Sequence, residues 1–340
     1  MDVKTESVLV QNLCVPCGCR CRYCLLSWDG APVGVGWERG IAFYRRFREG
    51  LRIARPELPV EFAFGYAMEH PDLPTALTQL RELGSPHTEF FQCDGMRLRN
   101  PEECRGLAAL LSREGVKKLN FTLYGLEDYH DRFAARAGDF AAILRMMAAA
   151  GEEGLSVSCG IQLTLESLPQ ISELVELLQS RKFVNRVFLF VPHEEGRGKQ
   201  IAPIRVTTSA LLELPQPLQE LLNRKIFRPE GEWLTTGAFV PETRRSLLLS
   251  LREDNIERLE QMKPLALLQK LEALDEQYYA AFPSFEALAE RYGDPAGEKF
   301  YRQRDLFAHY RSRYAAEFGV RPYDVTDERQ SGSRRYGTVE

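Results

Sequence analysis

The chain has 340 residues, room for two structural units at about 150 residues each or for one large one. Its composition, 44% hydrophobic and 27% charged, is that of an ordinary globular protein that needs no staples, and a net charge of -4 argues against a protein that coats nucleic acid. No apolar run approaches the roughly 18 residues of a membrane span, and Met1–Val10 lacks the apolar stretch of a signal peptide, so the cytoplasm is the expected compartment, with no membrane partner.

Ser7–Asn12 reads as a first strand. It runs into a loop where five of the eight cysteines fall between Cys14 and Cys24; the others are Cys93, Cys104 and Cys159. A reducing cytosol disfavours disulfides and thiols this close in sequence bridge poorly, so metal binding is the better reading. Two parsings exist. Cys14-x2-Cys17 with Cys21-x2-Cys24 is a double pair of the kind that suits zinc, but the pairs are too close together for a usual zinc module. Cys17-x3-Cys21-x2-Cys24, with Tyr23 before the last cysteine, fits three corners of a 4Fe-4S cube and leaves one iron open to a small molecule. Cys14 and Cys19 are then spare thiols that pack the loop, and Gly18 lets the backbone turn tightly.

Trp37–Arg55 is helical, with Ile41, Phe43, Tyr44, Phe47 and Leu51 at near-helical spacing. Strand-type runs over Pro59–Tyr66, Thr88–Cys93, Lys118–Tyr124, Leu155–Leu165 and Arg186–Val191 alternate with helical stretches over Asp72–Leu83, Pro101–Arg113, Asp139–Ala150 and Pro169–Ser180. Such alternation predicts parallel strands joined by right-handed crossovers. On the fifth strand Ser158, Gly160, Gln162 and Thr164 share one face, taken as the interior one, while Val157, Cys159, Ile161 and Leu163 share the other; a slip by one residue would turn Cys159 inward. Beyond residue 200 no strand is predicted. Charged amphipathic stretches dominate there (Thr208–Asn223, Pro241–Leu271, Ser284–Tyr292, Ala296–Phe318), aromatics from Tyr278 to Tyr314 read as packing, and Asp327–Glu340 reads as disordered.

Cys17-Gly18-Cys19-Arg20-Cys21-Arg22-Tyr23-Cys24 resembles the CxxxCx(aromatic)C signature of the radical S-adenosylmethionine (radical SAM) superfamily. The resemblance covers residues 5 to about 200. It implies an α/β fold, a partial (β/α)6 TIM-like barrel over residues 1–200; the mainly helical C-terminal region, 201–326, lies outside the resemblance and is read as a substrate or lid candidate, followed by the tail 327–340. It implies Cys17, Cys21 and Cys24 as ligands of one 4Fe-4S cluster, with S-adenosyl-L-methionine (SAM) on the open iron. Chemistry is then expected at the C-terminal ends of the strands.

At those ends the resemblance nominates cofactor-binding residues. Tyr23 is the aromatic of the motif. Gly65, Glu69 and Pro71 stand where relatives carry a Gly-Gly-Glu-Pro-like turn that receives the cofactor's amino group. Cys93-Asp94-Gly95 stands where relatives show Thr-Asn-Gly, with Cys93 a buried structural thiol. Thr122 takes the place of a serine that bonds the cofactor's polar end. His130-Asp131 to Gly138-Asp139-Phe140 is similar to a stretch of the peptide-modifying and sulfatase-maturing branch, and Arg136 within it is the candidate for the cofactor carboxylate. Gln162 is nominated for the ribose and Val191 for the end of strand six. Arg197 sits in a turn that resembles the Pro-x-Gly-Arg closure of relatives, with His193 and Glu194 near substrate.

The implied activity is reductive cleavage of SAM to methionine and a 5′-deoxyadenosyl radical that abstracts hydrogen, fed by an electron donor of flavodoxin or ferredoxin type. The stretch from Gly160 to Glu340 holds no cysteine for further clusters. A peptide substrate is favoured by the His130–Phe140 likeness; a small metabolite, or a cluster-binding scaffold without turnover, is the alternative. Cys93 or Cys159, if turned toward the radical, could return a hydrogen atom.

Overall fold

The computed structural model describes residues 4–15, 17–24, 34–65, 67–85, 88–194, 196–239 and 244–320. The tail read as disordered, 327–340, lies outside the described residues, as do Tyr66 and Glu195. Seven parallel strands form two sheets. In the first, β1 (Lys4–Gln11) pairs with β2 (Val60–Ala63) on one side and β8 (Arg244–Ser250) on the other. In the second the order is β3 (Phe90–Gln92), β4 (Lys118–Leu123), β5 (Ser156–Gln162), β6 (Val184–Phe190). A small antiparallel pair joins β7 (Phe227–Pro229) to β9 (Phe300–Arg302).

The α/β class and the parallel alternation are therefore as the sequence predicts. Among the described residues β2 and β3 share no ladder, so the strands stand as two parallel sheets and not as one continuous barrel wall. The absence of a strand beyond residue 200 is the expectation that fails. Leu247, Leu248 and Leu249 are consecutive and all buried, so the middle of β8 does not show the period-two alternation that marks a half-exposed strand. β8 lies parallel to β1 from Lys4 opposite Arg244 to Gln11 opposite Ser250.

The helices before residue 200 are α1 (Trp37–Ala54), α2 (Leu73–Glu82), α3 (Pro101–Arg113), α4 (Glu127–Ala134), α5 (Asp139–Glu152) and α6 (Ile171–Gln179). Their starts are chemically specified. Asn100 and Glu103 form a reciprocal capping box with Pro101 at the first turn of α3, and the Asp72 side chain accepts from the Thr75 N–H at the start of α2. After residue 200 come α7 (Thr208–Leu211), α8 (Gln216–Gln219), α9 (Glu230–Thr235), α10 (Ile256–Gln261), α11 (Pro264–Ala280), α12 (Phe285–Tyr292) and α13 (Gln303–Phe318). Pro215 and Pro217 break the expected Thr208–Asn223 helix into two single turns.

Each sheet has a dry face packed on helices. On the first, Phe62 of β2 lies against Trp37 and Tyr44 of α1, with ring centroids 5.8 and 5.1 Å apart. On the second, Leu119, Phe121, Leu123, Val157, Cys159 and Ile161 join the same apolar core as Leu111 of α3, Ile143 and Met146 of α5 and Leu174 of α6. The late aromatics pack as expected, in a second core of Trp233, Phe285, Leu288, Tyr292, Tyr301, Leu306 and Tyr310. Among the described residues no helix is long and apolar enough to cross a membrane.

Candidate active site

The loop that leaves β1 crosses to the end of β3, which puts the C-terminal ends of both sheets on one side of the molecule. Gly18 N–H donates to Gly95 O at 2.8 Å, and the loop continues along the end of α4, with Arg20 N–H on Ala134 O (2.8 Å) and Arg22 N–H on Phe133 O (3.0 Å). Two glycines make the approach possible. Gly95 has φ +67°, and a Cβ there would lie 2.2 Å from Cys17 Sγ; a Cβ on Gly18 would lie 2.4 Å from the Arg136 guanidinium.

Cys17, Cys21 and Cys24 are partly exposed, whereas Cys19 is buried. The Cys19 thiol donates to Asp139 Oδ2 at 3.5 Å. A bond from Cys17 pulls its pKa down, but Cys21, burial and Asp139 outweigh it and carry the thiol well above the ordinary range. Tyr124 O–H donates to Cys21 Sγ at 3.3 Å, and the Tyr23 ring meets Tyr124 edge-on at 5.5 Å and Phe133 at 5.9 Å. Cys14 lines a cavity of about 450 Å³ beside Trp37 and His70 that none of Cys17, Cys21 and Cys24 lines. Among the described residues no three His, Cys, Asp or Glu side chains converge on a point that would hold a single metal ion. The donors present, three accessible thiols in a loop with room made by Gly95, fit a multi-atom cluster better than one ion.

The His130–Phe140 stretch buckles this loop to the sheet. The Tyr124 N–H donates to His130 Nδ1 at 3.2 Å, which leaves Nε2–H to face Asp139 Oδ2 at 3.1 Å. Asp131 caps α5, accepting from Gly138 N–H (2.5 Å) and Phe140 N–H (2.9 Å). Arg136 donates to Asp139 Oδ1 at 3.2 Å and to Met96 O. A further nominee is engaged within the protein: Glu69 takes Arg99 on both oxygens, at 2.6 and 2.8 Å, and Arg97 N–H at 2.8 Å. Gly65 holds the left-handed turn after β2, and Val191 is buried after β6. Glu194 is buried between Arg205 (2.8 Å) and His309 (2.9 Å), which clasps the loop after β6 to α13; His193 stands 3.8 Å from Asp305 in the same clasp. Nothing is described for the Arg197 side chain.

The wet face of the second sheet carries a hydrogen-bonded row. Ser158 Oγ–H donates to Asn120 Oδ1 (2.7 Å), Asn120 Nδ2 to Gln92 Oε1 (2.6 Å), and Gln92 Nε2 to Asp94 Oδ2 (2.8 Å). Thr122 adds its hydroxyl to Asp94 Oδ2 (3.1 Å) and its N–H to Asp94 Oδ1 (3.0 Å). Burial pushes the Asp94 carboxyl up to about 6; the Gln92 and Thr122 bonds oppose that shift and Asp139 adds to it. Beyond this row Gln162 is 1% exposed, and neither atom of its amide has a partner among the described residues; the same holds for the buried Gln11 Oε1 and Ser250 Oγ, at the paired ends of β1 and β8. The inward placement of the polar row of β5 is thus observed. Cys93 and Cys159 are on the dry face and fully buried, with Cys93 Sγ 3.6 Å from Met68 Sδ, so neither is placed to return a hydrogen atom. Asp94, Gln92 and Ser250 escaped the sequence reading. The alternation Phe91, Gln92, Cys93, Asp94 carried the signal for the first two.

No protein-family model and no curated protein matches the chain. Solved structures do. SuiB of Streptococcus suis, bound to the precursor peptide SuiA, matches at a TM-score of 0.45 and 14% identity over 72% of this chain and 49% of that one, so the chain spans about half of SuiB's length. The protein anSMEcpe, solved with AdoMet and a peptide, matches at 0.43 and 13% over 71% and 63%. Coproporphyrinogen III oxidase (HemN) from Escherichia coli, described as a radical SAM enzyme, matches at 0.40 and 13% over 91% of this chain and 90% of that one.

Proposed function

We propose that the chain is a radical SAM enzyme that uses one 4Fe-4S cluster, held by Cys17, Cys21 and Cys24, to act on a peptide. The observation that carries this reading is the cysteine loop itself: its three accessible thiols stand at the C-terminal ends of parallel strands, with Cys17 lodged against a glycine that leaves no room for a side chain. When bound, such a cluster would supply one electron for reductive cleavage of the sulfonium C–S bond of SAM, the source of hydrogen-abstracting power.

The protein's own part is to bind, orient and exclude water. Tyr23, backed by Tyr124 and Phe133, walls the loop, and Thr122 and Gln162 face the interior where the nucleotide would lie. An unpartnered buried amide is costly, and a ribose with its paired hydroxyls would satisfy the donor and the acceptor of Gln162. Gly65, Glu69, Arg136 and Val191 shape the surrounding turns. We read residues 1–200 as the core and 201–326 as the substrate side, with β8 reaching back into the core sheet. The electron comes from a flavodoxin or ferredoxin type of donor. The test is anaerobic reconstitution with iron, sulfide, dithionite and SAM. Release of 5′-deoxyadenosine and methionine supports an enzyme; a bound cluster with no release supports the non-catalytic scaffold.

A further inference from the structure

We propose that Asp94 is the seat for the cationic sulfonium centre of the bound nucleotide. This rests on the radical SAM reading above and goes beyond the residues nominated there, which do not include Asp94.

The carboxylates around the cysteine loop differ in what neutralises them. Glu69 is held on both oxygens by Arg99, Glu166 meets Arg22 at 3.0 Å, and Asp139 takes Arg136 and His130. Asp131 is spent on two helix N–H groups. Asp94 alone of these, among the described residues, is bonded only by neutral donors outside a helix cap: Gln92 Nε2, Thr122 Oγ1 and Thr122 N. Those three donors fix the orientation of the carboxylate from two strands, and the Asn120–Ser158 row behind Gln92 braces it from a third. Its neighbours add negative potential, since Asp139 repels it and the Tyr23 and Tyr124 hydroxyls feel it together with Cys21.

A half-buried carboxylate without a counter-charge is an unfavourable arrangement that a cation would relieve. Its position selects which cation. Asp94 immediately precedes Gly95, the residue against which Cys17 Sγ rests, so its carboxylate stands at the edge of the thiol loop. A ligand seated over that loop presents its charged end there. An uncharged amide or hydroxyl would leave the charge unanswered.

The test is equilibrium binding to the reconstituted, unreduced protein under anaerobic conditions, with SAM and with S-adenosylhomocysteine, which keeps the ammonium but lacks the sulfonium charge. For Asp94→Asn we expect SAM binding to weaken at least about tenfold. S-adenosylhomocysteine binding is expected to hold, since that ligand lacks the sulfonium charge; equal weakening of both ligands overturns the proposal. Asp94→Glu, which keeps the charge, is expected to recover part of the affinity, and circular dichroism checks that both variants fold. Unchanged binding of both ligands by Asp94→Asn overturns the proposal while leaving the radical SAM reading intact. Failure of the wild-type protein to bind either ligand overturns both.

Discussion

The two faces of the β3–β6 sheet are built from alternate residues of the same strands, yet they answer to different demands. The dry face, with Phe121, Leu123, Cys159 and Ile161, is closed by α3, α5 and α6 and has no polar atom to satisfy. The wet face spends its polar groups on one another as far as Asp94 and then stops, leaving Gln162 with no partner among the described residues. Stability is the natural readout of the first face and ligand binding of the second. A protein that needed only to fold would gain by filling the second with apolar groups.

Substitutions can break that contrast. The largest effect belongs to the thiol loop, where alanine at Cys17, Cys21 or Cys24 should abolish iron retention while Cys14→Ala leaves it unchanged. Next comes the dry face: Phe121→Ala should cost about 3–5 kcal/mol in urea unfolding, because a fully buried ring leaves a cavity. A loss below 1 kcal/mol would mean that this face is not close-packed.

Asp94 gives a pH signature. Its folded pKa, about 6, lies above the ordinary 3.8, so its contribution to stability is fully present below about 4 and is lost as pH rises through 6. Without ligand, Asp94→Asn should therefore gain on the wild type between pH 4 and 7.5, by on the order of 2–3 kcal/mol. Parallel unfolding profiles for the two proteins would contradict this. Gln162→Met should leave stability unchanged or raise it by about 1 kcal/mol, while weakening nucleotide binding. A loss of 2 kcal/mol would reveal a hidden partner for the amide. Smallest of all, Cys159→Ala should cost about 1 kcal/mol and leave the deuterium pattern of any product unaltered.

Much of the first 200 residues was legible because several strands run into a Gly or Pro, as at Gly65, Gly95, Gly125 and Pro192, and most helices show an apolar stripe; α3 begins at Pro101 as expected, whereas the two-turn α4 was not read. The polar row of β5 was legible from its alternation. What the sequence hid had physical causes. The three consecutive leucines of β8 are buried whichever face they point to, so they carry no period. Asp94 sits beside a cysteine that drew attention to the wrong face. The pairing of Glu69 with Arg99, and of Arg136 with Asp139, joins separate loops or neighbouring turns and depends on tertiary placement that no local pattern encodes.

The proposed cluster is the decisive point. Iron and acid-labile sulfide should be counted in protein purified without oxygen, beside a variant with alanine at Cys17, Cys21 and Cys24. The account predicts about four of each per wild-type chain and essentially none in the variant. One zinc per chain, or iron retained by the variant, would contradict it.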